Sequence, residues 1–264
     1  PPASRARAAP PADWPLDAVG VYLPLTAALL RTPGGGRLNL APSHDWILIL
    51  HSDDIAKPCW LPTMQDAIAR SDDKVAAICS SYDRWDPVTN VIEPGEDVPE
   101  RGYEIVPGVA ASVRDTLEKG CWFQFSGSAM RLAPMAQYGR FPETISFSGD
   151  WEWLVRCLAS GWSIGYVPRT TIRYRQHGSS MSSSAAQSGQ DIKDALALML
   201  EYHGKGYITD AELAARKRRY VGWLVRRAAK RTLKGDFRGA GRLARLGLGI
   251  VDNSAVSTER RIRA

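Results

Sequence analysis

Two carboxylates, Asp53 and Asp54, stand side by side in the stretch HSDD at residues 51–54. Adjacent carboxylates repel each other, and a hard divalent cation relieves the repulsion. Mg²⁺ and Mn²⁺ take oxygen ligands, and Mg²⁺ is typically held through one or two carboxylates, with phosphate oxygens and water completing its shell. The plainer role for the pair is to cap the helix that follows. A second cluster, FSGDWEW at 147–153, sets Asp150 beside Trp151 and Trp153. Bulky indoles desolvate a carboxylate, raise its pKa and make it a better base near neutral pH, whereas a bare helix cap needs no such neighbours. A third cluster, RYRQHGSSMS at 173–182, carries Arg173, Arg175 and His177 at alternate positions. Strand alternation would put all three on one face, a cationic strip suited to a diphosphate. His177 is able to ligate the cation through a ring nitrogen or to serve a structural purpose.

These clusters need elements to hold them. WILIL at 46–50 reads as a buried strand that delivers Asp53 and Asp54 to its C-terminal end. Pro58 suits a helix start, and residues 59–71 place Trp60, Met64, Ala67 and Ile68 at helical spacing. Residues 74–82 have strand character. Residues 83–107, punctuated by Pro, Gly and Asn, read as a polar loop of a length that is usually functional or mobile. A helix over 110–120 ends at Gly120, and 121–130 reads as a strand. A further helix spans 149–161 with Asp150 at its N-cap or first turn, and 162–177 is strand-rich. Strands alternating with helices predict an α/β layer architecture.

From about residue 190 the pattern is helical only. Thr209 and Glu212 have capping-box spacing at the head of a long helix. Leu213, Tyr220, Leu224 and Ala228 make one face of it, while Arg219, Arg226, Lys230 and Lys234 line another. A second helix follows from Asp236, which completes a helical hairpin.

The net charge of +6 is unevenly spread over the 264 residues. Residues 201–264 hold 16 Lys/Arg against 6 Asp/Glu, and the remainder is net −4. A weakly acidic body with a basic tail points to an anionic partner, a membrane surface or nucleic acid. The tail has only Tyr220, Trp223 and Phe237 as aromatics and no recognised nucleic-acid module, which disfavours nucleic acid. The longest apolar segment, residues 19–30, is too short to span a bilayer and contains Pro24. Residues 1–18, rich in Pro, Ala and Arg, read as a disordered lead rather than a signal peptide. The four cysteines (59, 79, 121 and 157) form no CxxC pair and lie in apolar surroundings, as expected of buried, reduced thiols in a cytoplasmic protein.

Taken together and in this order, the three motifs and the pattern between them resemble a family-2 glycosyltransferase over residues 37 to 183 or so. The resemblance implies a GT-A (Rossmann-like) α/β fold: a mixed sheet flanked by helices, here with a C-terminal basic helical hairpin. It divides the chain into the lead, a transferase domain over 19–188 and a basic helical appendage over 189–264. It implies Mg²⁺ or Mn²⁺ held by Asp53, Asp54 and His177. The donor would be a nucleoside-diphosphate sugar bound by Asp53, Arg173, Arg175 and His177, and Asp150 would be the base. The acceptor would be a glycan or lipid-linked glycan, at the inner face of a membrane when the tail rests on anionic lipid.

Two departures stand out. His51 occupies a position where many members have Asp. Upstream, VGVYLPLT at 19–26 resembles the family's opening strand, but only about 25 residues separate it from the Asp-rich strand, too few for the usual βαβ units. The half of the site that reads the base therefore looks shortened. A glycosyltransferase-like protein that binds glycan or a partner without catalysis is the alternative this shortening supports.

Overall fold

The computed structural model describes residues 20–22 (backbone alone), 46–51, 53–134, 147–178 and 180–251. The lead expected over 1–18 lies outside the described residues. Among the described residues eight strands form one mixed sheet: β1 (Gly20–Tyr22), β2 (Trp46–Leu50), β3 (Ile55–Ala56), β4 (Val75–Trp85), β5 (Ile92–Glu93), β6 (Glu104–Val106), β7 (Ser128–Arg131) and β8 (Ser163–Arg175). Their order is β1-β2-β7-β4-β8-β3, with β5 against β4 and β6 against β8. Helices α1 (Trp60–Ala69), α2 (Ala110–Lys119), α3 (Gly149–Ala159), α4 (Met181–Ser188), α5 (Gln190–Gly204), α6 (Asp210–Leu233) and α7 (Phe237–Val251) accompany it, with a 3-10 turn at Pro99–Arg101. The molecule is a mixed α/β protein whose C-terminal helices pack together.

Alternation along β2 explains the layering. Ile47 and Ile49 point into one core, with α2, α3, α5, α6 and α7, while Leu48 points into the other with Trp60, Met64 and Ala67 of α1. The apolar spacing of α1 thus buries the face expected of it. The face formed by Leu213, Tyr220 and Leu224 of α6 is buried too, in the same core as β2, with Ala228 packed at its edge. The capping box is present: Thr209 Oγ1 accepts from Glu212 N–H while Glu212 accepts from Thr209 N–H.

Three expectations need correction. Residues 83–107 are not one long loop. β4 continues to Trp85, and β5 and β6 each add a short strand, β5 against the end of β4 and β6 against β8 on the edge away from β4. Within 121–130 only Ser128–Arg131 belongs to a strand, because Gly127 takes φ +82° and turns the chain. Cysteine burial is divided. Cys79 and Cys157 are buried, but Cys59 is half-buried and Cys121 exposed; all four are free thiols. β8 also carries Pro168 in its interior, at a register shift against β4 between Ser80 and Ser81, where a residue without N–H is tolerated. No described helix is long and apolar enough to cross a membrane.

Candidate active site

The end of β2 and the end of β8 meet. β2 and β8 do not pair; β7 and β4 lie between them in the sheet. What joins them is the short β3, which follows Asp54 and pairs with β8 at Ile55↔Arg173. That pairing draws Asp53 and Asp54 against residues 173–177. The backbone N–H of Arg175 donates to Asp54 Oδ1 at 2.9 Å, and His177 Nε2 lies 3.1 Å from Asp53 Oδ2.

His51 completes the group. Its Nδ1 is 3.8 Å from Asp54 Oδ2, and one ligand atom from each of His51, Asp53 and Asp54 falls within 4.8 Å of the others. Asp54 is the buried member, with a side chain 1% exposed, whereas Asp53 is 43% exposed. Burial pushes Asp54 above the ordinary carboxylate range, against the pull of hydrogen bonds from Ser126 and Arg175 N–H and of the nearby His51. Burial likewise lowers the pKa of His51, more than Asp54 and Asp53 raise it, so its imidazole is neutral at pH 7.

Two buried atoms of the group, His51 Nε2 and Asp54 Oδ2, have no hydrogen-bond partner among the described residues. Buried polar atoms are ordinarily paired. A neutral imidazole nitrogen and carboxylate oxygens in one turn are donor atoms that fit a divalent cation.

The floor under the group comes from the segment before β7. Ser126 Oγ accepts from His51 N–H at 3.1 Å, and Gly127 N–H donates to Ile49 O at 2.7 Å. Gly127 O in turn accepts from Trp60 Nε1 at 2.8 Å, which ties the turn to α1. Phe125 stacks at a tilt on His51 with ring centroids 6.0 Å apart. Phe123 touches Phe125 on one side and Trp153 of α3 on the other, at 6.4 and 6.1 Å.

Asp150 stands in the first turn of α3, after the N-cap residue Ser148. Its Oδ1 accepts from Trp151 N–H at 2.8 Å. Desolvation is the cause that prevails, and it pushes the carboxyl up to about 6. The approach to α3 is fixed from α5: Asp194 Oδ2 accepts from Phe147 N–H at 2.7 Å and Ser148 N–H at 3.1 Å, and Gln190 Nε2 donates to Asp194 Oδ1 at 2.7 Å.

No family model matches this chain, and no curated protein matches it.

Of the residues expected at the site, Asp53, Asp54 and His177 are brought together with the main chain of Arg175. The guanidinium of Arg175 lies over the Trp85 ring at 5.8 Å, and the charge of Arg173 acts on Asp83. Asp83 also forms a 2.5 Å ion pair with Lys57 and accepts from Gly95 N–H. Burial works to raise its pKa, and these contacts together hold it below the usual carboxylate range. Asp150 stands on α3, the helix whose Trp153 ends the Phe125–Phe123–Trp153 ring contacts that start at His51. The residues that sequence reasoning passed over are His51 as a ligand, Ser126 and Asp194. His51 carried a signal, since it directly follows the strand and lies within one turn of Asp54. Ser126 and Asp194 carried none, because their partners are remote in sequence.

Proposed function

We propose that the chain is a GT-A-type glycosyltransferase that moves a sugar from a nucleoside-diphosphate sugar to an acceptor hydroxyl with inversion. The observation that carries the reading is the convergence of His51, Asp53, Asp54 and His177 from two strand ends onto one small volume. His51, Asp53 and Asp54 would hold the cation, and His51 tilts the choice from Mg²⁺, which prefers oxygen, towards Mn²⁺. Such a cation, when bound, neutralises the charge that develops on a leaving diphosphate.

His177, positioned by Asp53, would face the diphosphate from the β8 side. Its carbonyl accepts from Ser180 N–H and Ser183 Oγ, at 3.0 and 3.1 Å, which fixes the turn into α4. The guanidinium of Arg175 is held on Trp85, close enough in the chain to swing to the same phosphates. Asp150, with its carboxyl near 6, is mostly ionised at neutral pH yet basic enough to accept a proton from an acceptor hydroxyl. Lipid-linked glycan and free glycan are both acceptors of the required chemistry.

Titration calorimetry with UDP- and dTDP-sugars in the presence of Mn²⁺ tests the reading. Heat of binding that disappears in the Asp54→Asn variant supports it. No binding by the full chain to either donor favours the non-catalytic alternative.

A further inference from the structure

The α6–α7 hairpin leaves an apolar surface that the core does not cover. A groove of about 490 Å³ runs between the two helices, lined by Val225, Ala229, Phe237, Gly241 and Ala244 among others. Small residues at its floor let the helices approach closely and keep it shallow. Helical spacing extends the same surface beyond the groove. Leu233 follows Ala229 by four residues, and Leu248 and Val251 follow Ala244 by four and seven. Leu233 and Phe237, on either side of the hairpin turn, are 88% and 70% exposed.

Cations flank this apolar plane on both helices. Arg219, Arg226 and Lys230 on α6, and Arg238, Arg242 and Arg245 on α7, are all exposed. Within 210–251 there are 12 Lys/Arg and 3 Asp/Glu. The three acids are engaged: Asp210 with His203, Glu212 in the capping box, and Asp236 with Arg231 and Gly239 N–H. An apolar plane between two cationic rows matches the interface of an anionic bilayer, whose headgroups lie above its acyl chains. An acidic helix laid in the groove would leave Leu248 and Val251 at one end and Leu233 at the other in water.

We infer that the α6–α7 hairpin docks on an anionic membrane surface, with Leu233 and Phe237 at its tip entering the headgroup–acyl boundary and the flanking arginines on the lipid phosphates. This does not depend on the transferase reading. Each Lys or Arg near such a surface strengthens binding about fivefold, so the six make reversible attachment to anionic lipid and leave neutral lipid unbound.

The test is flotation of the full chain with vesicles of phosphatidylcholine mixed with phosphatidylglycerol, and with phosphatidylcholine alone. The protein is expected to float with the first and not the second. Leu233→Ser combined with Phe237→Ser lowers recovery about tenfold, by loss of apolar insertion. Replacement of Arg226, Lys230, Arg238 and Arg242 by Gln abolishes it. All six positions are exposed, and unchanged circular dichroism and melting confirm that the variants fold. Recovery equal to the unsubstituted chain in both variants overturns the inference, as does failure of the full chain to float with the anionic vesicles. In the second case a titration with an acidic amphipathic peptide that binds the full chain would reassign the groove to a protein partner.

Discussion

Asp54 and Arg175, 121 residues apart, are joined by a 2.9 Å hydrogen bond from the main chain of one to the side chain of the other. The bond fixes where the acidic pair lies relative to the end of β8, whatever the Arg175 side chain does. Asp54→Asn keeps an oxygen to accept this bond while removing the buried charge. The variant is therefore expected to fold and, without cation, to melt no lower than the original chain. Mn²⁺ should raise the melting temperature of the original chain and leave that of the variant unmoved. Asp54→Ala leaves the Arg175 N–H bare and should cost about 1–3 kcal/mol in urea unfolding.

Asp150 gives a pH signature with a definite sign. Its pKa in the fold is raised to about 6, so between its ordinary value and 6 the native state binds the proton that the unfolded state has lost. Stability from this group is present at low pH and is lost as pH rises through 6. Ionising it in the fold costs up to about 3 kcal/mol. Asp150→Asn should thus melt higher than the original at pH 8, by a margin that shrinks towards pH 5. On the proposed transferase reading, the same substitution should remove sugar transfer, and transfer by the original chain should weaken as pH drops below about 6. Transfer that survives in the variant would dismiss Asp150 as the base.

Asp194 is a buried carboxylate whose partners are two main-chain N–H groups and the Gln190 amide. Asp194→Ala strands all three, and charge-assisted bonds of this kind are worth more than neutral ones. The expected loss is about 2–4 kcal/mol in urea unfolding. Gln190→Ala, which removes one neutral donor, should cost about 1 kcal/mol.

Gly127 holds φ +82°, and a Cβ built there would sit 2.8 Å from Cγ2 of Ile172. Gly127→Ala should destabilise by about 1–3 kcal/mol through strain alone. Because the neighbouring Ser126 carries the His51 N–H, Mn²⁺ affinity should fall as well. A melt and a Mn²⁺ titration on the same variant check both.

The sheet and its helices were legible where periodicity is strong. The alternation of 46–50, the apolar face of 60–68 and the caps at Thr209 and Gly120 are local signals, and each element formed within a residue or two of its expected bounds. The short strands β5 and β6 were not legible. Their existence depends on the free edges of β4 and β8, which no window of local sequence contains. The first half of the strand expected over 121–130 failed for a related reason: Phe123 and Phe125 are buried by contacts with His51 and Trp153, not by a ladder. At the site, adjacency revealed Asp53 and Asp54, but one contact of Arg175 was not legible. Its main chain meets Asp54, and residue type says nothing about a backbone amide.

α5 carries two carboxylates three residues apart that face different neighbours. Asp194 grips the entry to α3, and Asp191 holds Arg227 of α6 through bonds of 2.9 and 2.7 Å. Together with Leu198, Met199 and Tyr202, which share a core with Ile47 and Ile49, this makes the C-terminal helices a buttress rather than an extension. A cut near residue 189 should expose the core face that α5–α7 share with Ile47 and Ile49 and strand the Phe147 and Ser148 N–H groups that Asp194 holds. Any minimal version of this protein has to keep its helices and change their surface instead.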